Sequence, residues 1–262
     1  MKFSYFPGCT LKNKAKILDV YARKCAEKLG VTLEETENWQ CCGGVFTTAK
    51  DEVATKLSSV RILKDALKKE QDLVTVCSAC HNVVKQTNYA MQNDKEFASK
   101  VNRYMSEGEY NGETRIYHYL ELLRDIIGYE KIKECVVNPL KDKKIAAYYG
   151  CLLLRPNSVM RMDDPENPSI IENLISALGA TPVVYGYRNE CCGGYVRLDD
   201  ATLAEKKSAN VINSAKKAGA EVIVTACPLC KYNLEKADCD IPVVYLTELL
   251  AEALGVKEDT NE

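Results

Sequence analysis

The chain has 262 residues, 46% apolar and 27% charged, with a formal net charge of −2, which suits one large or two small globular domains, each able to bury a core. That charge leaves no basic footprint for nucleic acid. No apolar run approaches the ~18 residues of a membrane span, so direct membrane insertion is not expected. The first ten residues carry one lysine and no apolar stretch, so no export signal is expected either. Against this background thirteen cysteines and two histidines are the anomaly. In a reducing, cytoplasmic setting clustered cysteines hold metal or do redox chemistry rather than build a disulfide framework. So few histidines point to all-thiolate sites.

Taken in chain order, brief β-branched or aromatic runs predict strands at Lys2–Phe6, Leu73–Val76, Lys144–Tyr149, Val183–Tyr185, Glu221–Thr225 and Pro242–Tyr245. Helices are expected over Asp51–Lys69 and Asp199–Lys217, which open with acids and close with lysines, as the helix dipole favours. Val53, Leu57, Val60 and Leu67 would be the buried stripe of the first. Asn88 to Gly112 is charged and polar and ends in turn-forming residues, so it reads as an inserted helix and loop. Two further helices should stop at Gly128 and Gly255. Strands alternating with helices imply an α/β fold, with a small, mostly parallel sheet flanked by helices in each half of the chain.

The halves repeat one another. Cys41-Cys42-Gly43-Gly44 returns as Cys191-Cys192-Gly193-Gly194, and Cys77-Ser-Ala-Cys80 returns as Cys227-Pro-Leu-Cys230. The motifs are 34 residues apart in both copies, so each position shifts by 150. A folded spacer of fixed length preserves such a gap. Phe3 to Cys9 parallels Ala146 to Cys151, Leu29-Gly30 parallels Leu178-Gly179, and Tyr119 to Leu123 parallels Leu246 to Leu250. The repeat and the helix-breaking Pro139 predict a boundary near Asn138-Pro139, giving domains 1–138 and 139–262.

Each half thus offers five thiols: Cys9, Cys41, Cys42, Cys77 and Cys80, then Cys151, Cys191, Cys192, Cys227 and Cys230. They fall at strand ends and helix N-termini, where backbone N–H groups stabilise thiolates and where α/β sheets carry their sites. Glycines after each cysteine pair let the backbone pass close to a bulky ligand. Thiolates suit zinc or iron–sulfur clusters. A zinc ion takes four ligands and would leave one cysteine over in both halves, whereas a multi-iron cluster can use five. A lone CxxC could be a zinc knuckle or a dithiol, and a vicinal pair could be a strained redox disulfide; two copies at matched spacing are more specific. Cys25, Cys135 and Cys239 have no cysteine at the equivalent position of the other copy and are expected to be packing or surface residues. His118, which aligns with Tyr245, and the Tyr148–Tyr149 pair are expected to be structural.

The pattern Cys9…Cys41-Cys42-Gly43…Cys77-x-x-Cys80, repeated from Cys151 to Cys230, resembles the tandem cysteine-rich CCG domains of the B-type subunit of heterodisulfide reductase, over nearly the whole chain. Tyr148-Tyr149-Gly150-Cys151, Leu154-Arg155-Pro156 and Asp163-Asp164-Pro165-Glu166-Asn167-Pro168 are also similar to that protein. The resemblance implies two tandem, pseudo-symmetric CCG domains. It implies two noncubane [4Fe–4S] clusters, each held by the five cysteines of one half. A low-molecular-weight disulfide such as the coenzyme M–coenzyme B heterodisulfide would sit between them and take one electron from each. The chain has no C-x-x-C-x-x-C run, dinucleotide-binding glycine motif or haem attachment site. The resemblance therefore implies two partners of the same complex, a cubane iron–sulfur protein like its C-type component and a flavoprotein like its A-type component. An anionic disulfide would call for cations, for which His81 and Lys231, directly after the two CxxC motifs, and Arg155 and Arg197, four and five residues past Cys151 and Cys192, are the candidates. The rival expectations are an electron-transfer or docking component of a quinone-linked or organic-acid-oxidising complex, and a zinc-stabilised module or thiol sensor. No basic amphipathic helix rich in exposed aromatics argues for membrane docking.

Overall fold

The computed structural model describes residues 1–37, 39–44, 53–106, 108–237 and 240–258. In chain order the first half contains β1 (Lys2–Phe6), α1 (Cys9–Asn13), α2 (Lys16–Lys28), β2 (Thr32–Glu35), α3 (Ala54–Lys68), β3 (Leu73–Thr75), α4 (Ser78–Asn93), α5 (Lys95–Asn102), β4 (Ile116–His118), α6 (Tyr119–Glu121), which runs on as a wider π-helical turn over Leu122–Ile127, and α7 (Tyr129–Cys135). The second half contains β5 (Lys144–Tyr148), α8 (Asn157–Met160), α9 (Ile170–Ala177), β6 (Thr181–Val183), a 3₁₀ turn at Val196–Leu198, α10 (Ala201–Lys217), β7 (Val222–Thr225), α11 (Pro228–Glu235), β8 (Val243–Tyr245) and α12 (Leu246–Leu254).

These strands make two four-stranded sheets, ordered β2-β1-β3-β4 and β6-β5-β7-β8, parallel at every pairing. The architecture is α/β, with the same topology in both halves. Side chains alternate between the faces of the central strands. Phe3 and Tyr5, Ile145 and Ala147, and Val224 and Ala226 enter one apolar layer. Phe6, Ala146, Tyr148 and Ile223 enter the other. In each sheet the strand order reverses beside the first strand, between β1 and β3 and between β5 and β7. That reversal opens a crevice at the carboxyl ends of those strands.

Five of the expected strands agree to within a residue, and the differences lie at the sheet edges. β2 and β4 are not among the expected strands; β2 is the polar run Thr-Leu-Glu-Glu and β4 has three residues. β6 begins two residues before the expected Val183–Tyr185 and contains Pro182. It is an edge strand, where a missing N–H costs no ladder bond. In α3 the buried stripe is Val60, Leu63 and Ala66, joined by Ile62, while Leu67 is exposed and Val53 and Leu57 are only partly buried. Asp51 and Glu52, expected to open this helix, lie outside the described residues. α10 starts at Ala201 rather than Asp199, because Asp200 is its N-cap and accepts Leu203 N–H at 2.9 Å. The insertion lengthens α4 to sixteen residues against eight in α11 and adds α5. Its loop is pinned by Asn102, whose side chain donates to Tyr110 O and accepts Tyr110 N–H, both at 3.1 Å.

The halves meet through two helix pairs and a shared junction. α12 packs on α2, with Thr247 Oγ1 donating to Leu18 O at 2.9 Å. α9 packs on α7, with Tyr129 Oη donating to Ile170 O at 3.0 Å. Between the two crevices the Tyr245 hydroxyl lies 2.6 Å from Val76 O and 3.2 Å from Ala226 O. Ser78 also donates to Ala226 O, from its N–H at 3.1 Å and its hydroxyl at 2.8 Å. The apolar layers run continuously through both halves. Among the described residues no helix is long and apolar enough to cross a membrane.

Candidate metal centres

The carboxyl ends of β1 and β3 deliver three thiols of the first half. Cys9 opens α1, Cys77 is the N-cap of α4 and Cys80 lies in its first turn. Cys41 and Cys42 arrive on the segment after β2, where Trp39 is held by Glu35 (Nε1 to Oε1, 2.8 Å) and by an edge contact with Phe6. Cys41 Sγ lies 3.6 Å from Cys9 Sγ, and Cys42 Sγ lies 3.3 Å from Cys80 Sγ. Gly8, at φ 79°, makes this approach possible, since a Cβ there would sit 2.8 Å from Cys80 Sγ.

The second half repeats the arrangement at β5 and β7. Cys151 follows Gly150, where a Cβ would sit 3.1 Å from Cys230 Sγ. Cys227 is the N-cap of α11. Cys191 and Cys192 lie on a segment fixed by Tyr148 Oη to Glu190 O at 2.8 Å, Tyr149 N to Arg188 O at 2.8 Å and Ser208 Oγ to Cys192 O at 3.0 Å. Cys192 and Cys230 Sγ are 3.6 Å apart, and Gly193 N–H donates to Cys191 Sγ at 3.3 Å. All five cysteines of this half line one cavity, together with Ser78, Tyr149, Leu152, Gly194, Tyr195 and Leu229. Ser78 belongs to the first half, so the cavity reaches the junction between the sheets.

The thiols share protons. Donation from Cys41, then Cys80, holds Cys42 down at about 4. Donation from Cys151, then Cys192, holds Cys191 at about 2. Cys227 is held well below the usual thiol range by Cys230 and then by Cys77, which reaches it across the junction. The donors move the other way: Cys41, Cys77, Cys80, Cys151 and Cys230 are pushed up, as is Cys192, to about 11. The two sets approach one another at Cys77 and Cys227, whose preceding carbonyls, Val76 O and Ala226 O, both lie within reach of the Tyr245 hydroxyl. None of the twelve cysteines among the described residues is bridged. Among the described residues no three His, Cys, Asp or Glu side chains close around one point as ligands of a single ion. A soft donor set spread around a cavity, with glycine where the backbone passes the sulfurs, fits a multi-iron cluster.

Residues 3–85 and 145–235 match the CCG cysteine-rich domain family. The chain belongs to that family. It is 31% identical over 267 residues, 97% of this chain and 93% of the other, to the membrane anchor component of the 8-methylmenaquinol:fumarate reductase of Wolinella succinogenes. It is 30% identical over 274 residues, 98% of this chain and 91% of the other, to the B-type subunit of the ferredoxin:CoB-CoM heterodisulfide reductase of Methanosarcina mazei. The resemblance to this heterodisulfide reductase component thus extends along the chain. Among solved structures, a hypothetical protein from Helicobacter pylori superposes with a TM-score of 0.74 over 98% of this chain, at 13% identity, which shows a shared fold. The chain spans 49% of that one's length.

The CCG framework places the remaining candidates. Lys231 is engaged locally, donating to Val243 O at 2.7 Å and pairing with Glu235 and Glu248. Arg155 donates to Asn189 O and pairs with Glu166, both at 3.1 Å, away from the cavity lining. His81 is fully buried, with Nδ1 2.9 Å from Thr75 Oγ1 and its ring edge-on to His118. Burial pushes its pKa well down. Arg197 pairs with Glu205 at 3.3 Å and lies over the Tyr232 ring, but its buried Nη1 has no hydrogen-bond partner. His118 and Tyr149 are buried, Tyr149 against Glu172, although Tyr149 also touches the cavity. Cys25 is buried inside the apolar layer and Cys135 packs at its margin; Cys239 lies outside the described residues. Two residues at the site escape the sequence reading. Tyr195 lines the cavity with a buried hydroxyl that has no partner. Asn233 Nδ2 donates to Cys192 Sγ at 3.6 Å. Their signals were positional: Tyr195 directly follows the Cys-Cys-Gly-Gly run, and Asn233 lies one helical turn past Cys230.

Proposed function

We propose that this protein is the cluster-bearing component of a heterodisulfide reductase-like complex, reducing a small anionic disulfide to two thiols. The observation that supports this reading is that two five-thiol sets flank one junction, where the carbonyls before Cys77 and Cys227 both lie within reach of the Tyr245 hydroxyl and Ser78 donates to Ala226 O, at the switch points of two equivalent sheets. Cys9, Cys41, Cys42, Cys77 and Cys80 would hold one noncubane [4Fe–4S] cluster, and Cys151, Cys191, Cys192, Cys227 and Cys230 the other. Such clusters, when bound, supply single electrons. Cleaving one S–S bond takes two electrons and two protons and yields two thiols, so two adjacent one-electron sites match the stoichiometry.

The rest of the chain shapes the approach. Leu152 and Leu229 give the cavity an apolar wall that excludes water. The unpartnered Tyr195 hydroxyl and Arg197 Nη1 are donors available to the substrate's anionic end. Lys231 and Arg155 spend their polar atoms on the protein itself and His81 is buried against His118, so Arg197, two residues past the cavity-lining Tyr195 and with one nitrogen unpartnered, is the preferred cation of the four. Electrons would come from a cubane iron–sulfur protein of the C type, fed by a flavoprotein of the A type, in the cytoplasm. The similarity to the heterodisulfide reductase component of Methanosarcina mazei supports this assignment.

The similarity to a component of a menaquinol:fumarate reductase favours a second reading, an electron-transfer or docking component of a quinone-linked complex that cleaves no disulfide. One experiment addresses both. Protein purified without oxygen is assayed for iron, acid-labile sulfide and zinc, then for turnover of small disulfides by a reduced viologen dye. About eight irons with matching sulfide, and thiol release, support the first reading. The same iron without thiol release favours the second. Zinc without sulfide would overturn both.

A further inference from the structure

One wall of the cavity in the second half is held in place from the first half. Leu152 lines that cavity directly after Cys151. Leu154 N–H and Arg155 N–H both donate to Cys151 O, at 3.4 and 3.1 Å, so residues 151–155 form one turn closed on a cysteine of the site. Leu153 and Leu154 anchor the back of this turn in the apolar layer. Leu152 O and Arg155 O accept from Asn82 Nδ2 on α4, at 2.7 and 2.8 Å. A carboxamide nitrogen has two hydrogens, and this one gives both to the turn. Asn82 is buried, and Gln86 Nε2 donates to its Oδ1 at 2.6 Å, which fixes the orientation of the amide. Further along the same segment, Lys85 Nζ donates to Met160 O at 2.6 Å and Arg124 Nη1 to Met162 O at 2.7 Å. All these donors belong to the first half and all these carbonyls to the second. The fold itself does not demand an asparagine there: the 150-residue shift of the repeat relates Asn82 to Tyr232, which is exposed.

We propose that Asn82 sets which disulfides the cavity accepts, by fixing Leu152 from across the junction between the halves. The inference rests on the reductase reading above. A turn pinned at Leu152 O and again at Arg155 O cannot rotate the Leu152 peptide without breaking a buried hydrogen bond, which leaves the carbonyl unpaired. Leu152 therefore stands as a fixed apolar wall, with Leu229 as its companion in the lining. A fixed wall selects by size, and in an apolar pocket a single methylene is worth about tenfold or more in selectivity. A compact anionic disulfide passes such a wall, and one with aromatic rings is disfavoured. Asn82 is not itself part of the lining. It acts through Leu152 and is a positioning residue.

The test compares two anionic disulfides, dithiodiglycolate and the bulkier dithiodibenzoate, with a reduced viologen dye as electron donor and protein whose iron and sulfide are counted first. The wild type should favour dithiodiglycolate. Asn82→Leu keeps the side-chain volume and removes the donor. With iron content unchanged, it should lower that preference about tenfold, and amide hydrogen exchange over residues 151–162 should quicken. Leu152→Ala should lower the preference too, and adding Asn82→Leu to it should lower it no further, because both changes act on one wall. A wild type without preference, an unmoved preference or unmoved exchange in fully loaded Asn82→Leu, or additive effects in the double variant overturn the inference while leaving the reductase reading intact. Should Asn82→Leu fail to hold iron, Gln86→Leu, which frees the Asn82 amide to turn, decides alone: a lowered preference supports the inference, and an unmoved one overturns it. Wild-type protein that carries its iron and sulfide yet reduces neither disulfide overturns the reductase reading, and the inference with it.

Discussion

Tyr245→Phe probes the junction between the halves. The side chain is fully buried, and its hydroxyl lies within hydrogen-bonding distance of the carbonyls that precede Cys77 and Cys227. Phenylalanine fills the same space, so the change removes a donor without opening a cavity of consequence. The Ala226 carbonyl keeps two donors from Ser78, so the loss falls chiefly on Val76. Leaving one buried carbonyl short of its donor costs ~1–3 kcal/mol. At ~3 °C per kcal/mol for a chain of this size, the melting temperature should fall by about 3–9 °C. Calorimetry measures the fall, and urea unfolding should show a lower midpoint at unchanged slope. Tyr104→Phe, at an exposed position, is the control and should not move. A Tyr245→Phe melting temperature within about 1 °C of wild type would refute the view that this hydroxyl ties the two strands together.

Gly193→Ala places a Cβ 2.8 Å from Ala204 Cα at φ 81°. Left-handed backbone costs ~1–2 kcal/mol and overpacking ~1–3 kcal/mol, so the variant should lose ~2–5 kcal/mol in urea titration and bind about half the wild-type iron. Cys25→Ala should keep its full iron content; in the native protein Cys25, its thiol pushed up to about 12 by burial, should resist alkylation in peptide mapping. Burial holds His118 at about 3, below the ~6.5 of an unfolded histidine. On acidification the unfolded chain takes up that proton first, so stability is whole above ~6.5 and falls toward pH 3, by up to ~1.4 kcal/mol per unit. His118→Asn, which keeps an N-cap acceptor, should show a shallower fall in its urea midpoint between those values; an unchanged slope would show that His118 does not stay neutral.

The central strands and the ligand cysteines were legible because their signals are strong. β1, β3, β5 and β7 are buried on both faces and read as apolar runs bounded by turns. The cysteines stand in a repeat with fixed spacing. The edge strands β2 and β4 carry little such signal: one flank of each is unpaired, so Thr32–Glu35 can be mostly polar and Ile116–His118 can be three residues long. Pro182 obscured β6 for the same reason. At the site, the distinction between a cation that keeps an unpartnered nitrogen and one spent on the protein is a tertiary fact. Lys231 and Arg197 look alike in sequence, yet one is paired with two carboxylates and a carbonyl while the other retains an unpartnered nitrogen. Asn233 was invisible because an asparagine on a helix has many bland uses, and only the fold puts its amide against Cys192.

The two halves, joined by the contacts of α2 with α12 and of α9 with α7, share one topology and are arranged much as the protomers of a homodimer would be. Covalent linkage makes that association intramolecular and independent of concentration. It also removes the requirement that both sides carry the same residue. In a dimer of identical chains an amide against the cysteine pair would appear at both centres or at neither. In a fused chain it can be placed on one side, as Asn233 is beside Cys192, so the two cradles need not match residue for residue.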